Sequence, residues 1–374
     1  MVGIARPALI RSTSIPLSRP PVDDEIKEAV WAAIASGHYI LGAECREFEA
    51  ALARSIGVRH VVLTSSGTAA LWLSFRALGV KAGDEVLVPS HTAFPTIEAI
   101  VFAGATPVFV DVDDTYGLDV VDAAAKVTPR TIGVVPVHLY GQAVDLDAVS
   151  QFVSRCGIWA VEDCCQAIGA GWRGRPVGSF GRASAFSFYP SKNLTVLGDG
   201  GAVATDDVVV AEQCRRLRDH GRRGKDLHVE IGFNLRFNEL NAAAGRVGLR
   251  RLEAMNDRRR ALAARYRAGL TRVPVELPRE RSEGRHVYHL FVIRTPERDA
   301  LRAFLAGRGI ETGIHYPVPA HRQPAIQHLS APSLPVTERL VGEILSLPIS
   351  AGHAEAEVDE VIAAVQEYFG RGRV

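Results

Sequence analysis

The sequence contains little sulfur. Its 374 residues include five cysteines and two methionines. Cys45, Cys156, Cys164, Cys165 and Cys214 are odd in number and lack the paired spacing of a zinc site or a small disulfide framework. We therefore expect reduced thiols, no metal site and a cytoplasmic location.

Excess charge and long apolar runs are missing too. The 43 Lys and Arg residues balance the 42 Asp and Glu residues to a formal net charge of +1. Overall charge therefore gives no reason to expect nucleic acid or an anionic membrane as a partner. No segment reaches the ~18 uninterrupted apolar residues of a membrane span, and the N-terminus lacks the pattern of a signal peptide. The simplest prediction is a soluble protein.

Short β-branched runs alternate with helical patterns from about residue 45 onward. This alternation predicts an α/β fold, with helices on both faces of a mostly parallel sheet of seven strands. The predicted strands are HVVLT (60–64), EVLVP (85–89), PVFVD (107–111), IGVVPV (132–137), IWAVE (158–162), ASAFSF (183–188) and GAVAT (201–205).

The pattern changes after Gly248, where a long charged helix leads into a smaller mixture of strand and helices. We therefore predict two domains: a three-layer α/β/α domain over 1–250 and a smaller α+β domain over 251–374.

The stretch TSSGTAAL (64–71) places a small-residue turn with a glycine between a strand and a helix. Backbone N–H groups and the helix dipole at such a turn can bind a phosphate. The alternative is that Ser66 or Thr68 only caps the helix, and this motif alone favours capping.

The stretch VEDCCQAIGA (161–170) places Glu162 and Asp163 at the carboxyl end of an apolar strand, where ligands of open parallel sheets usually bind. A buried carboxylate there needs a cationic partner. Asp163 could instead be an ordinary helix cap.

Lys192 lies in SFYPSKNLTVLGDGGAV (187–203), without helical periodicity and without an acidic residue within three positions. A secluded lysine, a carboxylate at a strand end and a phosphate site together fit pyridoxal phosphate. This cofactor needs a Schiff-base amine, a partner for its pyridine nitrogen and an anion-binding site. Lys192 is the predicted amine, and burial would lower its pKa.

The sequence closely resembles the DegT/DnrJ/StrS sugar aminotransferases over nearly its whole length. The resemblance rests on SGHYILGAECREFE, SSGTAAL, PVHLYGQAVDLDAV, VEDCCQAIGA, SFYPSKNLTVLGDGGAV, GFNLRFNELNAAAG and GIHYPVPAHRQPA. It implies the aspartate aminotransferase fold and a homodimer with shared active sites.

The resemblance also assigns roles to individual residues. It implies Lys192 as the Schiff-base lysine and Asp163 as the partner of the pyridine nitrogen. Gln166 would lie near the ring and its 3-hydroxyl, and Asn234 would reach the phosphate of the neighbouring subunit. The remaining cofactor positions are Ser66, Gly67, Thr68 and Ser187.

One motif departs from the family pattern. The family commonly stacks an aromatic residue on the cofactor ring, right after a threonine, where this sequence has Ala93 in PSHTAFPT. Phe94 or His91 could cover the ring instead, or neither of them does.

The loop HYPVPAHRQPA (315–325) indicates the substrate. We expect His315, Tyr316 and His321, together with Tyr39, to bind a polar sugar nucleotide, although buried structural histidines would fit the pattern as well. The resemblance implies ping-pong transfer of an amino group from L-glutamate to a keto sugar. We expect a dTDP-linked 3-keto deoxysugar. The alternatives are a 4-keto nucleotide sugar, a keto-inositol, or a regulator that binds pyridoxal phosphate without turnover.

Overall fold

The protein is described here from a computed structural model, which covers residues 14–329 and 332–370. Its strands are β1 His60–Thr64, β2 Glu85–Pro89, β3 Thr106–Val110, β4 Thr131–Val134, β5 Trp159–Asp163, β6 Gly171–Trp172, β7 Arg175–Pro176, β8 Ala183–Ser187, β9 Gly201–Thr205, β10 Arg222–Arg223, β11 Leu227–His228, β12 Gly284–Arg285, β13 Phe291–Arg294 and β14 Ile344–Leu347.

Eleven α-helices lie within the described residues. They are α1 Asp24–Ala35, α2 Ala43–Ile56, α3 Gly67–Ala77, α4 Phe94–Phe102, α5 Val120–Ala125, α6 Leu146–Cys156, α7 Val208–Leu217, α8 Glu239–Leu270, α9 Arg298–Ala306, α10 Pro335–Glu343 and α11 Glu355–Gly370.

The central sheet has seven strands in the order β1-β9-β8-β5-β4-β2-β3. All neighbouring strands run parallel except β9, which is antiparallel to both β1 and β8. The predicted fold class is thereby confirmed, and each predicted strand of the sheet lies within three residues of its observed bounds. The carboxyl ends of β5 and β8 are adjacent, which brings Asp163 and Ser187 to the same edge.

The sheet is buried on both faces. Successive side chains of a strand point to opposite faces, and Val61 and Leu63 therefore pack in one apolar cluster while Val62 packs in another. Residues of α3, α4 and α7 share the cluster of Val62, whereas residues of α2, α5 and α6 share the other. This arrangement is the three-layer sandwich that the continuous apolar strands predict.

A smaller unit is built around the antiparallel pair β13 and β14, packed against α9, α11 and the second half of α8. The predicted boundary near residue 250 falls inside α8, which is one continuous helix. The start of the described chain packs with the smaller unit. Ile15 is buried in the core of the smaller unit and pairs with Ile310, so that its apolar side chain is removed from water.

Within residues 14–329 and 332–370, no helix combines the length and the apolar character needed to cross a bilayer.

Candidate active site

One cleft lies at the carboxyl edge of the central sheet, between that edge and the smaller unit. It has a volume of about 540 Å³. The smaller unit contributes the loop around His315, and the N-terminal segment contributes Leu17. Most of the predicted site residues line this cleft: Ser66, Gly67, Thr68, Phe94, Asp163, Gln166, Ser187, Lys192, His315 and Tyr316.

Asp163 is the last residue of β5 and is almost fully buried. Its Oδ1 accepts a hydrogen bond from the backbone N–H of Cys165 at 3.0 Å, and its Oδ2 accepts one from the Thr96 hydroxyl at 2.8 Å. Asp163 does not cap a helix, because no helix begins in the segment that follows β5. Its carboxylate is instead fixed on two sides and faces the cleft, where it can pair with a cationic ring nitrogen.

Lys192 lies in a turn that follows β8, with its backbone N–H donating to the carbonyl of Tyr189 at 2.8 Å. Burial lowers the pKa of Lys192, while the nearby Cys165 and Asp163 oppose that shift. A lowered pKa raises the fraction of neutral amine, which is the nucleophilic form. The position and the environment of Lys192 therefore suit a covalent link to an aldehyde.

The start of α3 is the part of the cleft that could hold a phosphate. The helix begins at Gly67, and the first N–H groups of any helix lack partners within it. Ser66 caps this helix, since its Oγ accepts from the backbone N–H of Ala69 at 3.1 Å. Capping does not prevent this start of the helix from holding an anion, because Ser66, Gly67 and Thr68 line the cleft.

Gly67 lets the start of α3 lie close to Cys165 and Ser187. A Cβ added to it would stand 2.8 Å from Cys165 Sγ and 2.9 Å from Ser187 Cβ. Such distances are too short for ordinary contacts, so only glycine fits without a shift of its neighbours. Together with the amine, the carboxylate and the helix start, this bare backbone shows that the donor set of the cleft fits pyridoxal phosphate.

Gln166 joins the two walls of the cleft. Its Oε1 accepts from the backbone N–H of Tyr140 at 2.8 Å, and its Nε2 donates to the Tyr316 hydroxyl at 3.1 Å. Nδ1 of the neighbouring His315 lies 2.9 Å from Ser346 Oγ. Burial, together with the charge of Lys192, lowers the pKa of His315 to about 4, so its imidazole is uncharged near neutral pH.

Ala93 stands at the position where the family commonly has an aromatic residue stacked on the cofactor ring. Ala93 and Phe94 both line the cleft, and Phe94 is the first residue of α4. His91 is fully buried elsewhere, with its Nε2 2.7 Å from the Tyr140 hydroxyl. Of the two alternatives left by the sequence, the structure therefore brings only Phe94 to the cleft.

Three predicted residues do not line the cleft. Tyr39 and Asn234 are exposed on the surface, and Tyr39 donates its hydroxyl hydrogen to the carbonyl of Ile34 at 3.3 Å. His321 is buried, with Nδ1 2.6 Å from Ser90 Oγ and Nε2 3.1 Å from Glu338 Oε1. His321 lies in a short 3-10 turn, Ala320–Arg322, and is held there by these two side chains, away from the cleft that His315 lines.

The structure adds residues that sequence reasoning missed. Thr96, Cys165 and His289 line the same cleft. The sequence could have indicated Cys165, because it lies two positions after Asp163 in the same motif. No sequence feature pointed to Thr96 or His289, since a threonine in a helix and a histidine in an apolar segment have many structural roles.

His138, Glu162 and Cys164 form a buried cluster whose side chains could ligate a metal. Glu162 already accepts from the backbone N–H groups of Gly178, Phe180 and Gly181, each at 2.8 Å. His138 Nε2 lies 3.0 Å from Glu162 Oε2, and its Nδ1 accepts from a backbone N–H. These internal hydrogen bonds explain the cluster as an anchor for the loop before β8.

Comparison with known proteins decides the family. The model of the DegT/DnrJ/EryC1/StrS aminotransferase family matches residues 20–366. The chain belongs to this family. The erythromycin biosynthesis sensory transduction protein EryC1 of Saccharopolyspora erythraea is 45% identical, over 91% of this chain and 94% of that protein. The dTDP-3-amino-3,4,6-trideoxy-alpha-D-glucose transaminase of Streptomyces venezuelae is 44% identical, over 93% of this chain and 94% of the enzyme.

Solved structures of other proteins have the same fold. The crystal structure of S. venezuelae DesV in complex with a ketimine intermediate has a TM-score of 0.90 and 44% identity, covering 92% of this chain and 94% of that one. NtdA of Bacillus subtilis with bound cofactor PMP has a TM-score of 0.86 and 30% identity, covering 93% and 82%. The predicted family, fold and cofactor are confirmed: the protein is a pyridoxal-phosphate-dependent sugar aminotransferase.

Proposed function

We propose that the protein moves an amino group from L-glutamate to the keto group of a dTDP-linked 3-keto deoxysugar, in a ping-pong reaction. This proposal rests on one observation: Lys192, Asp163 and the start of α3 line the same cleft. A binding module needs the phosphate site, but it has no need of a secluded amine.

The acceptor is proposed from the relatives. The S. venezuelae relative is named for a dTDP-linked 3-amino sugar and shares 44% of its residues with this chain. Near His315 and Tyr316 the cleft suits the polar, uncharged sugar ring of such a substrate, because His315 is neutral near pH 7 and Tyr316 presents a hydroxyl. A neutral imidazole can both donate and accept, as a sugar hydroxyl does.

When bound, pyridoxal phosphate supplies the carbonyl that takes up the amino group and the ring that accepts the electrons released at the donor carbon. Asp163 would hold the ring nitrogen in its protonated form. The first turn of α3 would bind the phosphate, and Lys192 would carry a proton on Nζ to and from the donor carbon. The walls joined by Gln166 and Tyr316 would limit the entry of water.

The acceptor is tested in the reverse direction. Purified enzyme with pyridoxal phosphate is mixed with a dTDP-3-amino sugar, a dTDP-4-amino sugar or an aminoinositol, and the cofactor spectrum is followed. We expect the 3-amino sugar to convert the cofactor fastest. Faster conversion by the 4-amino sugar or the aminoinositol would replace the proposed acceptor by that one, while leaving the transaminase class intact.

The regulatory alternative has one observation in its favour, namely that the relative EryC1 is called a sensory transduction protein. It predicts that the protein binds pyridoxal phosphate but that no amino compound converts it. Conversion by any member of the panel, together with 2-oxoglutarate consumption, therefore excludes a purely regulatory protein.

We also propose a homodimer whose active sites are shared. Asn234 is exposed, and it lies beside the exposed apolar side chains of Ile231 and Phe233, which are 86% and 49% accessible. In a dimer, the second copy of the chain could bury these side chains, and Asn234 of the first copy could then reach the cleft of the second. The test mixes the inactive Lys192→Ala and Asn234→Ala variants after partial denaturation. Recovery of activity supports shared sites, and no recovery with two folded variants contradicts them.

A cytoplasmic location also remains a proposal. All five cysteines are free, and three of them are buried, as is common for proteins of reducing compartments. Fractionation of the native host would test it.

A further inference from the structure

Two buried asparagines connect the turn that holds Lys192, the lysine turn, to helix α8. Asn193 directly follows Lys192 in the chain, and Asn256 lies in α8; their side chains are 6% and 1% accessible. Nδ2 of Asn193 donates to Oδ1 of Asn256 at 2.7 Å and to the carbonyl of Val287 at 2.9 Å. The proposed chemistry gives neither asparagine a role.

Asn256 also binds the segment that follows β5. Its Nδ2 donates to the carbonyl of Ile168 at 3.1 Å, and this segment carries Asp163 and Gln166 into the cleft. A carboxamide accepts through its oxygen and donates through its nitrogen. The side chain of Asn256 therefore holds the lysine turn with one atom and the segment after Asp163 with the other.

The backbone next to Ile168 is shaped around this carboxamide. Gly169 has a φ of +82°, in the left-handed region that favours glycine. A Cβ added to Gly169 would collide with Nδ2 of Asn256. Glycine at this position therefore gives the room that the asparagine needs to reach the carbonyl.

Stability alone does not explain this pair. Oδ1 of Asn193 is buried and has no hydrogen-bond partner among the described residues. A buried polar atom without a partner is costly, whereas an apolar side chain of similar size would avoid that cost. The position of the pair, between the lysine turn and the segment of Asp163, indicates a role in the geometry of the cleft.

The amine of Lys192 needs an exact position to bond to a cofactor, because the groups of such a site must be held to within about 0.5 Å. The backbone N–H of Lys192 donates to the carbonyl of Tyr189 at 2.8 Å, which fixes the shape of the turn. Leu194 packs in the apolar core beside it, but apolar contacts have little directionality. The asparagine pair adds directional bonds from the turn to two other segments.

We propose that Asn193 and Asn256 are positioning residues, which hold Lys192 in place relative to Asp163. Through them, α8 connects the amine that bonds to the cofactor with the carboxylate that pairs with the ring nitrogen. This inference deepens the proposed function, and it rests on the proposed bond between Lys192 and pyridoxal phosphate.

The test compares two forms of the cofactor. Pyridoxal phosphate has an aldehyde that can bond to Lys192, whereas pyridoxamine phosphate carries an amine instead and depends only on the rest of the cleft. The Kd of each is measured by fluorescence titration of the apoprotein, for wild type, Asn193→Ala, Asn256→Leu and Lys192→Met. The matched control is Tyr266→Phe, which removes a buried hydrogen bond of 2.8 Å from α8 to the carbonyl of Pro348, outside the lysine turn.

We expect both asparagine variants to raise the Kd for pyridoxal phosphate about five- to tenfold and to change the Kd for pyridoxamine phosphate less than about twofold, as for the loss of one buried hydrogen bond that serves only the lysine. Tyr266→Phe is expected to lower the free energy of unfolding and to leave both Kd values unchanged. Equal changes of the two Kd values in the asparagine variants, or no change in either, would overturn the proposal.

Two further comparisons keep the outcomes distinct. If circular dichroism shows that Asn256→Leu does not fold, Asn193→Ala decides, because it leaves the bond from Asn256 to Ile168 intact. Lys192→Met is the reference for complete loss of the covalent bond. Weaker binding of pyridoxal phosphate alone in Lys192→Met, without it in the asparagine variants, overturns only the positioning role. Unchanged binding in Lys192→Met contradicts the proposed function as well.

Discussion

The hydroxyl of Thr96 donates a hydrogen bond of 2.8 Å to Oδ2 of Asp163, across 67 residues of sequence. Thr96 lies in the first turns of α4, and Asp163 ends β5. This bond, together with the one from the backbone of Cys165, aims the carboxylate into the cleft. Correct aim matters because a charged hydrogen bond to a ring nitrogen depends strongly on geometry.

We therefore predict that Thr96→Val weakens cofactor binding. Loss of a hydrogen bond to a charged group costs about 1.5 to 3 kcal/mol, so the Kd for pyridoxal phosphate rises roughly 10- to 100-fold. Fluorescence titration of the apoprotein measures it. Thr96→Ser keeps the hydroxyl and is expected to bind nearly as wild type. Equal weakening in Val and Ser variants would show that packing, not the hydrogen bond, matters.

A second prediction concerns the bare backbone at the start of α3. In Gly67→Ala the new methyl group would stand 2.8 Å from Cys165 Sγ, so the helix start or its neighbours must move. We expect the affinity for both pyridoxal phosphate and inorganic phosphate to fall about tenfold or more, because the N–H groups leave their positions. The control is Gly342→Ala in α10, where the added methyl meets nothing within 4 Å. Unchanged affinity in Gly67→Ala would place the phosphate elsewhere.

A third prediction separates the two histidines of the HYPVPAHRQPA loop. The buried His321 contacts Ser90 and Glu338, so His321→Leu leaves the buried Ser90 hydroxyl with only the hydrogen bond from the backbone N–H of residue 321. We expect a loss of about 1 to 3 kcal/mol in the free energy of unfolding, with an unchanged KM for the sugar. Arg322→Ala removes an exposed ion pair to the same Glu338 and is the control with little effect. A raised KM for the sugar with unchanged stability would show that His321 contributes to substrate binding and not to stability.

A fourth prediction concerns acid stability. Burial lowers the pKa of His91 to about 4, from an ordinary value of 6.5. Between those two values the unfolded chain binds a proton that the folded protein does not, so stability falls as the pH falls from 6.5 towards 4. From pH 7 to pH 5 this histidine alone costs about 2 kcal/mol.

Chemical denaturation of the apoprotein at pH 7 and pH 5 measures this loss. His91→Gln removes the titrating group, and it is expected to lose less stability over the same interval than wild type. The same loss in wild type and variant would show that His91 takes up its proton equally readily in the folded protein and in the unfolded chain, which contradicts the lowered pKa.

The strands were predictable because their signal is local. The runs HVVLT and EVLVP are β-branched and apolar, and they form β1 and β2 with the predicted bounds. The sequence also places Lys192 and Asp163 in recognisable local motifs, and the structure brings both to one cleft. Both observations depend on residues that are close together along the chain.

The remaining features depend on tertiary contacts. The partnership of Thr96 with Asp163 is invisible in sequence, because a threonine in the first turn of a helix usually serves the helix itself. His315 and His321 look alike in one loop, but the path of that loop sends one to the cleft and the other to the interior. The packing of Ile15 with the smaller unit likewise joins residues at opposite ends of the chain.

The central claim is that Lys192 is the amine that bonds to the cofactor. The most direct measurement adds pyridoxal phosphate to purified apoprotein, records the visible spectrum before and after L-glutamate, and maps the modified peptide after borohydride reduction. The account predicts a yellow band that glutamate bleaches, and a cofactor fixed on the peptide that contains Lys192. Fixation on another lysine, or the same yellow band in Lys192→Met, would contradict it.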